Sequence, residues 1–520
     1  MLRAMNDETG DRRSGQNGTE VVPAARAAVG ADTSLIGEPS DIDGLTAWAL
    51  AYLAVPNLIF LFGWFRLPVA LLLCAAMIYF LAGAFWSKQV VWRSGHTRSA
   101  LLMIFATSCA WSAFGGGSHF MYANTDWEIR DAVLGDLVNL EWPVRYASAD
   151  GVPLILRSAI GFFLPPALLG KIVGLAYAAL AVYVWTAVGV LIFLLILPLP
   201  RTAGWPLALS LFLAIFFSGM DFLGQVISTG LLPIFPLRLE WWVPLSYPSL
   251  TGQLLWAPNH CLPIWIATVL SFRHRGSRAI LPVTIAALPL TLVWTPFAAI
   301  GLIPFAALWV VNGIRNSGWH AVPWRTLIAA AAFSLPIGLF LLIDIGHIES
   351  GGATAAGSTT VNAAWQHVSL SAYVLFVSCE FLFLALVLAP HVRTARAEFW
   401  IAILVLLALP LIRFGPSNDF GLRLSAPALI ILLIICLQTL PARERRSSGS
   451  SLWVAGLFLA VGAHTAFNEL WRAATFRRSP PDYQHTLAER QGGHPAAHYV
   501  GRLGATPLQQ WFKEPSGKPR

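Results

Sequence analysis

Residues 172–198 read IVGLAYAALAVYVWTAVGVLIFLLILP, 27 positions without an Asp, Glu, Lys or Arg. Coiled as an α-helix, the stretch is about 40 Å long, more than the roughly 30 Å hydrocarbon core of a bilayer. Twelve further apolar stretches lie on either side, at 46–65, 67–86, 100–114, 204–220, 261–272, 279–295, 297–313, 327–345, 368–390, 399–414, 425–441 and 451–468. Backbone groups find no water in lipid, and the period-2 alternation of a barrel strand is absent, so helices are the expected spanning form. The fold class read from the sequence is all-α: a polytopic integral membrane protein with about 11–13 transmembrane helices.

Composition agrees. Of 520 residues, 56% are hydrophobic and only 12% charged, where a soluble protein carries about 25% charged residues. That excludes a soluble enzyme, a disordered chain and a nucleic-acid-binding domain. The net charge of +8 is scattered over short loops, with no run that tracks a phosphate backbone, so nucleic acid is not an expected partner. The five cysteines, Cys74, Cys109, Cys261, Cys379 and Cys436, lie in or against apolar stretches with neither CxxC spacing nor a loop pairing, and read as packing residues.

Lys and Arg collect in alternate connections. Lys88, Arg93 and Arg98; Arg201; Arg273, Arg275 and Arg278; Arg315 and Arg325; Arg393 and Arg396; and Arg443, Arg445 and Arg446 mark the cytoplasmic side. The amino terminus is then inside. Connections 115–171, 221–260, 346–367 and 415–424 are outside, joined by a tail from 471 to 520. Residues 1–44 have no apolar period and no cleavable signal, and read as a disordered cytoplasmic tail before a transmembrane domain at 45–470. The outer loops hold the irregular, chemically varied sequence, which makes the outer face the expected working side.

In the first outer loop, GGGSHFMYANTDWEIRDAVLGDLVNLEWPVRYASADGVPL (115–154), Thr125 and Glu128 have capping-box spacing. They predict an amphipathic helix from Asp126 to about Leu140, lying in the membrane interface. Trp127, Ile129, Val133, Leu134, Leu137, Val138 and Leu140 share an arc; Glu128, Asp131, Asp136 and Asn139 lie opposite. Asp126 and Arg130 project from the apolar arc one turn apart, at the spacing of an ion pair. Two roles fit Asp126: a capping acid with a local salt bridge, or a carboxylate at a cavity edge that takes a proton from a substrate hydroxyl. The second role requires burial to oppose the acidifying helix terminus.

Further along, LILRSAIGFFLPPALLGK (154–171) is broken by Pro165 and Pro166 and reads as an interfacial elbow, its Arg157 and Lys171 snorkelling toward headgroups. EWWVPLSYPSLTGQLLWAPNHCLPIW (240–265) carries aromatics for an interfacial belt or a sugar-stacking surface, and His260 reads as a ligand-orienting donor or a structural histidine. In IRFGPSNDFGLRLSAP (412–427), Arg413, Asp419 and Arg423 stand on the side where basic residues are disfavoured, as a phosphate clamp would require. Glu380 lies mid-span, as a functional acid or a protonated interhelical donor. No metal-ligand spacing of His is present, and Asp126 and Glu128 point to different faces. No ATPase motif occurs.

NTDWEIRDAVLGDLVNLEWPVRY, IGFFLPPALLGK, WAPNH and SNDFGLR together resemble the outer-loop motifs of the GT-C superfamily of polytopic glycosyltransferases, over roughly residues 45–470. The loop follows the third apolar stretch here, where many members place it after the first. The resemblance implies a transferase in a bacterial plasma membrane that works on the periplasmic or exterior face, with a polyprenyl-phosphate-linked sugar as donor and a glycan or lipid as acceptor. It implies Asp126 as general base, Arg130 orienting it, and Arg423 with Arg413 on the leaving phosphate, inverting the anomeric centre. Glu128, His260 and Asp419 would contact sugar or phosphate. The family's paired acids leave a divalent cation as a cofactor option. A transporter or flippase of a lipid-linked saccharide, centred on Glu380, is the main alternative, beside a surface-polysaccharide polymerase or ligase.

Overall fold

The computed structural model describes residues 43–85, 95–148, 151–235, 239–240, 242–243, 245–345, 369–412, 419–440, 450–493, 495–505 and 507–514. The tail through residue 42, the 346–367 connection, Arg413 and the start of the 415–424 turn lie outside them.

Each of the thirteen apolar stretches is helical in its described part. In chain order the helices are α1 (Gly44–Trp64), α2 (Leu67–Phe85), α3 (Arg98–Ala113), α4 (Asp126–Asn139), α5 (Leu164–Val173), α6 (Ala178–Ile196), α7 (Trp205–Phe216), α8 (Asp221–Thr229), α9 (Leu250–Trp256) and α10 (Pro258–Arg273). They continue as α11 (Ile280–Leu290), α12 (Pro296–Ser317), α13 (Trp324–Leu341), α14 (Leu370–Val377), a π turn (Ser378–Leu382), α15 (Phe383–Leu388), α16 (Arg396–Ala408), α17 (Asp419–Leu424), α18 (Ala426–Thr439), α19 (Ser450–Thr475) and α20 (Leu487–Arg490). Seven helices among the described residues are long and apolar enough to cross a membrane, or eight if α7 and α8, bent by 45° across their break, count as one. These are the features of an all-α, multi-pass membrane protein. Exposed apolar side chains such as Leu72, Ile78 and Ile328 have lipid as their natural solvent.

The ends of the helices sort into two groups. Arg273 pairs with Asp43, His274 Nε2 meets Thr46 Oγ1 at 2.9 Å, Thr97 N donates to Arg201 O at 2.8 Å, and His391 meets Ser451 at 2.8 Å. Elsewhere Arg66 N donates to Trp511 O at 2.8 Å, Tyr122 N to Ala473 O at 3.0 Å, and Arg502 N to Asp344 Oδ2 at 3.1 Å. Every one of these contacts joins connections expected on the same side.

Two expectations change. The stretch 279–295 is not a full crossing: α11 stops at Leu290, whose carbonyl accepts from Asn57 Nδ2 at 2.8 Å midway along α1. Residues Thr291, Val293, Trp294 and Thr295 then turn in a recess inside the protein, all buried. Gly161 N, just before the elbow helix α5, reaches down to Val293 O at 3.0 Å.

The second change concerns α4, which spans the expected residues but does not turn its whole acidic face to water. Its acidic face is covered by the carboxy-terminal segment. Asp131 is buried against His119 Nε2 at 3.1 Å, and Asp136 accepts Tyr146 Oη at 2.7 Å and Leu487 N at 2.9 Å. The same segment adds strand β3 (Val500–Arg502) to the hairpin β1 (Arg145–Tyr146) and β2 (Leu154–Leu156), all antiparallel, and seats Phe512 against Phe65 and Phe340.

Candidate functional site

At the amino end of α4 the capping box does not form. Thr125 has helical backbone angles and no capping bond; Asn124 Oδ1 instead accepts Asp126 N at 3.1 Å. Asn124 Nδ2 and Trp127 Nε1 both donate to Leu255 O, at 3.2 and 3.0 Å, which ties this end of α4 to α9. A side chain at Gly116 would have its Cβ 2.1 Å from Trp127 Nε1, so glycine there is what lets the indole lie against the preceding loop.

Asp126 and Arg130 form the expected ion pair, Nη2 to Oδ2 at 3.0 Å. The Asp126 side chain is 49% exposed and that of Arg130 only 14%. The burial that the base reading called for is therefore absent at Asp126. Arg130 lies over the Trp127 ring at 5.4 Å, and its Nη1 is buried without a hydrogen-bond partner among the described residues. Glu128 is exposed.

His260, on the first turn of α10, is buried where the α11–α12 turn leaves its recess. Nδ1 meets Thr295 Oγ1 at 2.9 Å and Nε2 meets Asn259 at 3.2 Å, so both ring nitrogens are held by protein. The charges of Arg423 and Arg130 both act on this ring. Arg423 reaches the region from α17, its guanidinium 5.8 Å from the Phe297 ring. A Cβ at Gly301 would lie 2.4 Å from Leu424 O, and that close approach seats α17 on α12. The structure thus gathers Asp126, Arg130, His260 and Arg423 in one neighbourhood from three separate elements, α4, α10 and α17. Asp419 begins α17.

The sequence reading did not single out several neighbours. Asn259 Oδ1 is buried and unpartnered among the described residues. Glu469 is buried, accepting Trp256 Nε1 at 2.7 Å and Arg472 Nη1 at 2.8 Å. Asn259 lies within the quoted WAPNH motif, and the signal for Glu469 was a polar cluster at the end of the last apolar stretch, NELWR (468–472), which hydropathy alone reads as a span terminus. Among the described residues no three Asp, Glu, His or Cys side chains converge on a metal position.

Other expected contacts are corrected. Arg157 does not snorkel: it is buried and donates to Leu341 O at 2.9 Å and Ala497 O at 2.7 Å. Lys171 bends back to Val138 O and Leu140 O, at 3.0 and 2.6 Å, closing the end of α4. It lines a groove of about 620 Å³ with Leu58, Phe62, Trp142 and Lys513, which contains none of the predicted site residues. The aromatics of 240–265 turn inward: Trp265 donates to Gln253 Oε1 at 2.9 Å and Tyr247 to Leu406 O at 2.6 Å.

Asp221, which the sequence reading passed over, is wholly buried and shares the Trp242 indole N–H with Glu380, at 3.2 and 3.4 Å. In the loop-side layer, burial pushes the Asp136 carboxyl up to about 6 against the pull of Leu487 N–H and the Tyr146 hydroxyl, and raises Asp131 against His119.

Compared with protein families, with curated proteins and with solved structures, the chain matches none.

Proposed function

We propose that the chain is a membrane glycosyltransferase of GT-C type. It moves a sugar from a polyprenyl-phosphate donor to an acceptor hydroxyl on the outer face of a bacterial plasma membrane, with about 11–13 helical crossings as scaffold. The observation that carries the reading is the set of unspent polar groups around His260. Arg130 Nη1 is a buried donor and Asn259 Oδ1 a buried acceptor, each without a partner among the described residues, and Arg423 adds its charge from the facing element. Buried polar groups are nearly always satisfied, so a pair left open favours a polar ligand.

In this reading Asp126, the exposed carboxylate beside Arg130, takes the proton of the acceptor hydroxyl. The acceptor oxygen attacks the anomeric carbon, the bond from that carbon to the phosphate oxygen breaks, and polyprenyl phosphate leaves with its electron pair. Arg423 offsets the negative charge gathering on the phosphate, an effect strengthened where water is scarce. His260, its nitrogens committed to Thr295 and Asn259, positions rather than reacts. Glu128 and Asp419 lie at the margin as sugar or phosphate contacts, and the expected share of Arg413 in the phosphate clamp falls on a residue outside those described.

A second reading, a transporter or flippase of a lipid-linked saccharide, is favoured by the buried Asp221–Glu380 contact at a broken helix. One assay separates them. Purified protein in liposomes is given a polyprenyl-phosphate sugar and acceptors, and transfer and translocation are scored separately. Asp126→Asn should cut transfer by about 100-fold or more with the protein still in the membrane. Near-normal transfer removes Asp126 as base, and translocation without transfer supports the second reading.

A further inference from the structure

The break between α7 and α8 brings two acids from distant parts of the chain together. Asp221 opens α8 and is wholly buried; Glu380, on the π turn, is 5% exposed. The segments are laced by Met220 N donating to Cys379 O at 3.0 Å. Glycine at 219 permits the approach, since a Cβ there would lie 2.2 Å from Glu380 Oε2 and 2.8 Å from Glu380 Cα.

The donors are divided unequally. Asp221 Oδ2 accepts from Thr465 Oγ1 at 2.9 Å and Ser218 Oγ at 3.3 Å, and Oδ1 from Trp242 Nε1 at 3.2 Å. Glu380 Oε1 has only a 3.4 Å share of the same indole N–H, and Oε2 has no donor from any other described residue. Two carboxylates cannot hydrogen-bond to one another without a proton between them. Three neutral donors suit Asp221 to the ionised form; Glu380, nearly without donors, is the member suited to hold the proton.

We propose that Asp221 and Glu380 form a proton-binding site inside the helical bundle, with Glu380 carrying an exchangeable proton and donating it to ionised Asp221. No Lys, Arg or His pairs with either acid among the described residues. The titratable groups nearby are Cys379 on the π turn, Tyr247 and Tyr373, whose hydroxyls are committed to Leu406 O and Leu407 O, and His464, which packs on Phe222. Release of the proton leaves two negative charges sharing one indole N–H in a medium of low dielectric constant. The elements that hold them, a helix break and a π turn, are the places where a helical bundle yields. Proton release therefore biases the α7–α8 bend, a property independent of glycosyl transfer.

The full chain in lipid nanodiscs tests this in two ways. Infrared spectra at pH 7 should contain the C=O stretching band of a buried, protonated carboxylic acid, lost in Glu380→Gln and shifted in Asp221→Asn. A lipophilic carbodiimide takes up the acid's proton on nitrogen while the carboxyl oxygen bonds to its central carbon, and so marks protonated carboxyls. In the unmutated protein, peptide mass spectrometry should find Glu380 labelled at least about tenfold over Asp221, with labelling falling as pH rises. These two wild-type readouts stand even if a variant fails to fold. No acid band at pH 7, preferential label on Asp221, or protection by sodium ions would each overturn the proposal, the last by putting a metal cation where the proton is assigned.

Discussion

The Asp126–Arg130 pair and the Asp221–Glu380 pair solve the problem of a carboxylate in a membrane protein in opposite ways. The first lies at an exposed helix end, finds its cation four residues away and keeps half its surface in solvent. The second is buried, has no cation among the described residues and draws on Ser218, three residues earlier, and on Thr465 and Trp242 from two other segments. A charge near water can be held locally, whereas a buried one must recruit neutral donors from across the fold.

The largest effect should come from removing the buried acid. Asp221→Ala strands three donors and the Glu380 proton, and should lower stability by about 3–5 kcal/mol, against at most about 1 kcal/mol for Asp126→Ala. Thermal unfolding in detergent measures both, and equal shifts would erase the contrast. The same division applies to glycines. Gly219→Ala drives its Cβ into both the carboxyl and the Cα of Glu380, 2.2 and 2.8 Å away, so a shift of the side chain alone does not clear it, whereas Gly338 has open space around it. Gly219→Ala should therefore fall well below wild type in folded yield on size exclusion. Gly338→Ala should match it or gain about 0.4–1 kcal/mol.

Asp136 tests the intermediate case of a buried acid outside the bundle. Its carboxyl titrates near 6 in the fold against an ordinary value of 3.8, so the folded protein holds a proton that the unfolded chain has lost between about pH 4 and 6. Stability from this group is greatest below that window, falls by up to about 3 kcal/mol as pH rises through it, and is flat above. Protease nicking of the 479–514 segment should increase over that range, and Asp136→Asn should flatten the profile.

Hydropathy and spacing made the helices legible because lipid imposes a simple demand on length and polarity. The limits of α4 and the Asp126–Arg130 contact could be read for a related reason: both depend on residues within one or two turns. Depth could not be read. The stretch 279–295 looks like its neighbours, yet α11 stops where Asn57 offers a partner for Leu290 O. Nor could the covering of Asp131 and Asp136, since a helical pattern assigns acids to water and cannot foresee backbone N–H groups arriving from residues 482 and 487. Asp221 was hidden differently, as one acid beside a long apolar stretch whose partner lies 159 positions away in the sequence.

The carboxy-terminal segment ties these regions to the order of synthesis. Because β3 completes the sheet begun by β1 and β2, and Phe512 fills the space beside the end of α1, that surface can close only after residues 500–512 have been made. Until then α4 keeps two acids, a histidine and a bare strand edge uncovered. Closure of that surface therefore waits on residues 479–514, far along the chain from the helix they cover.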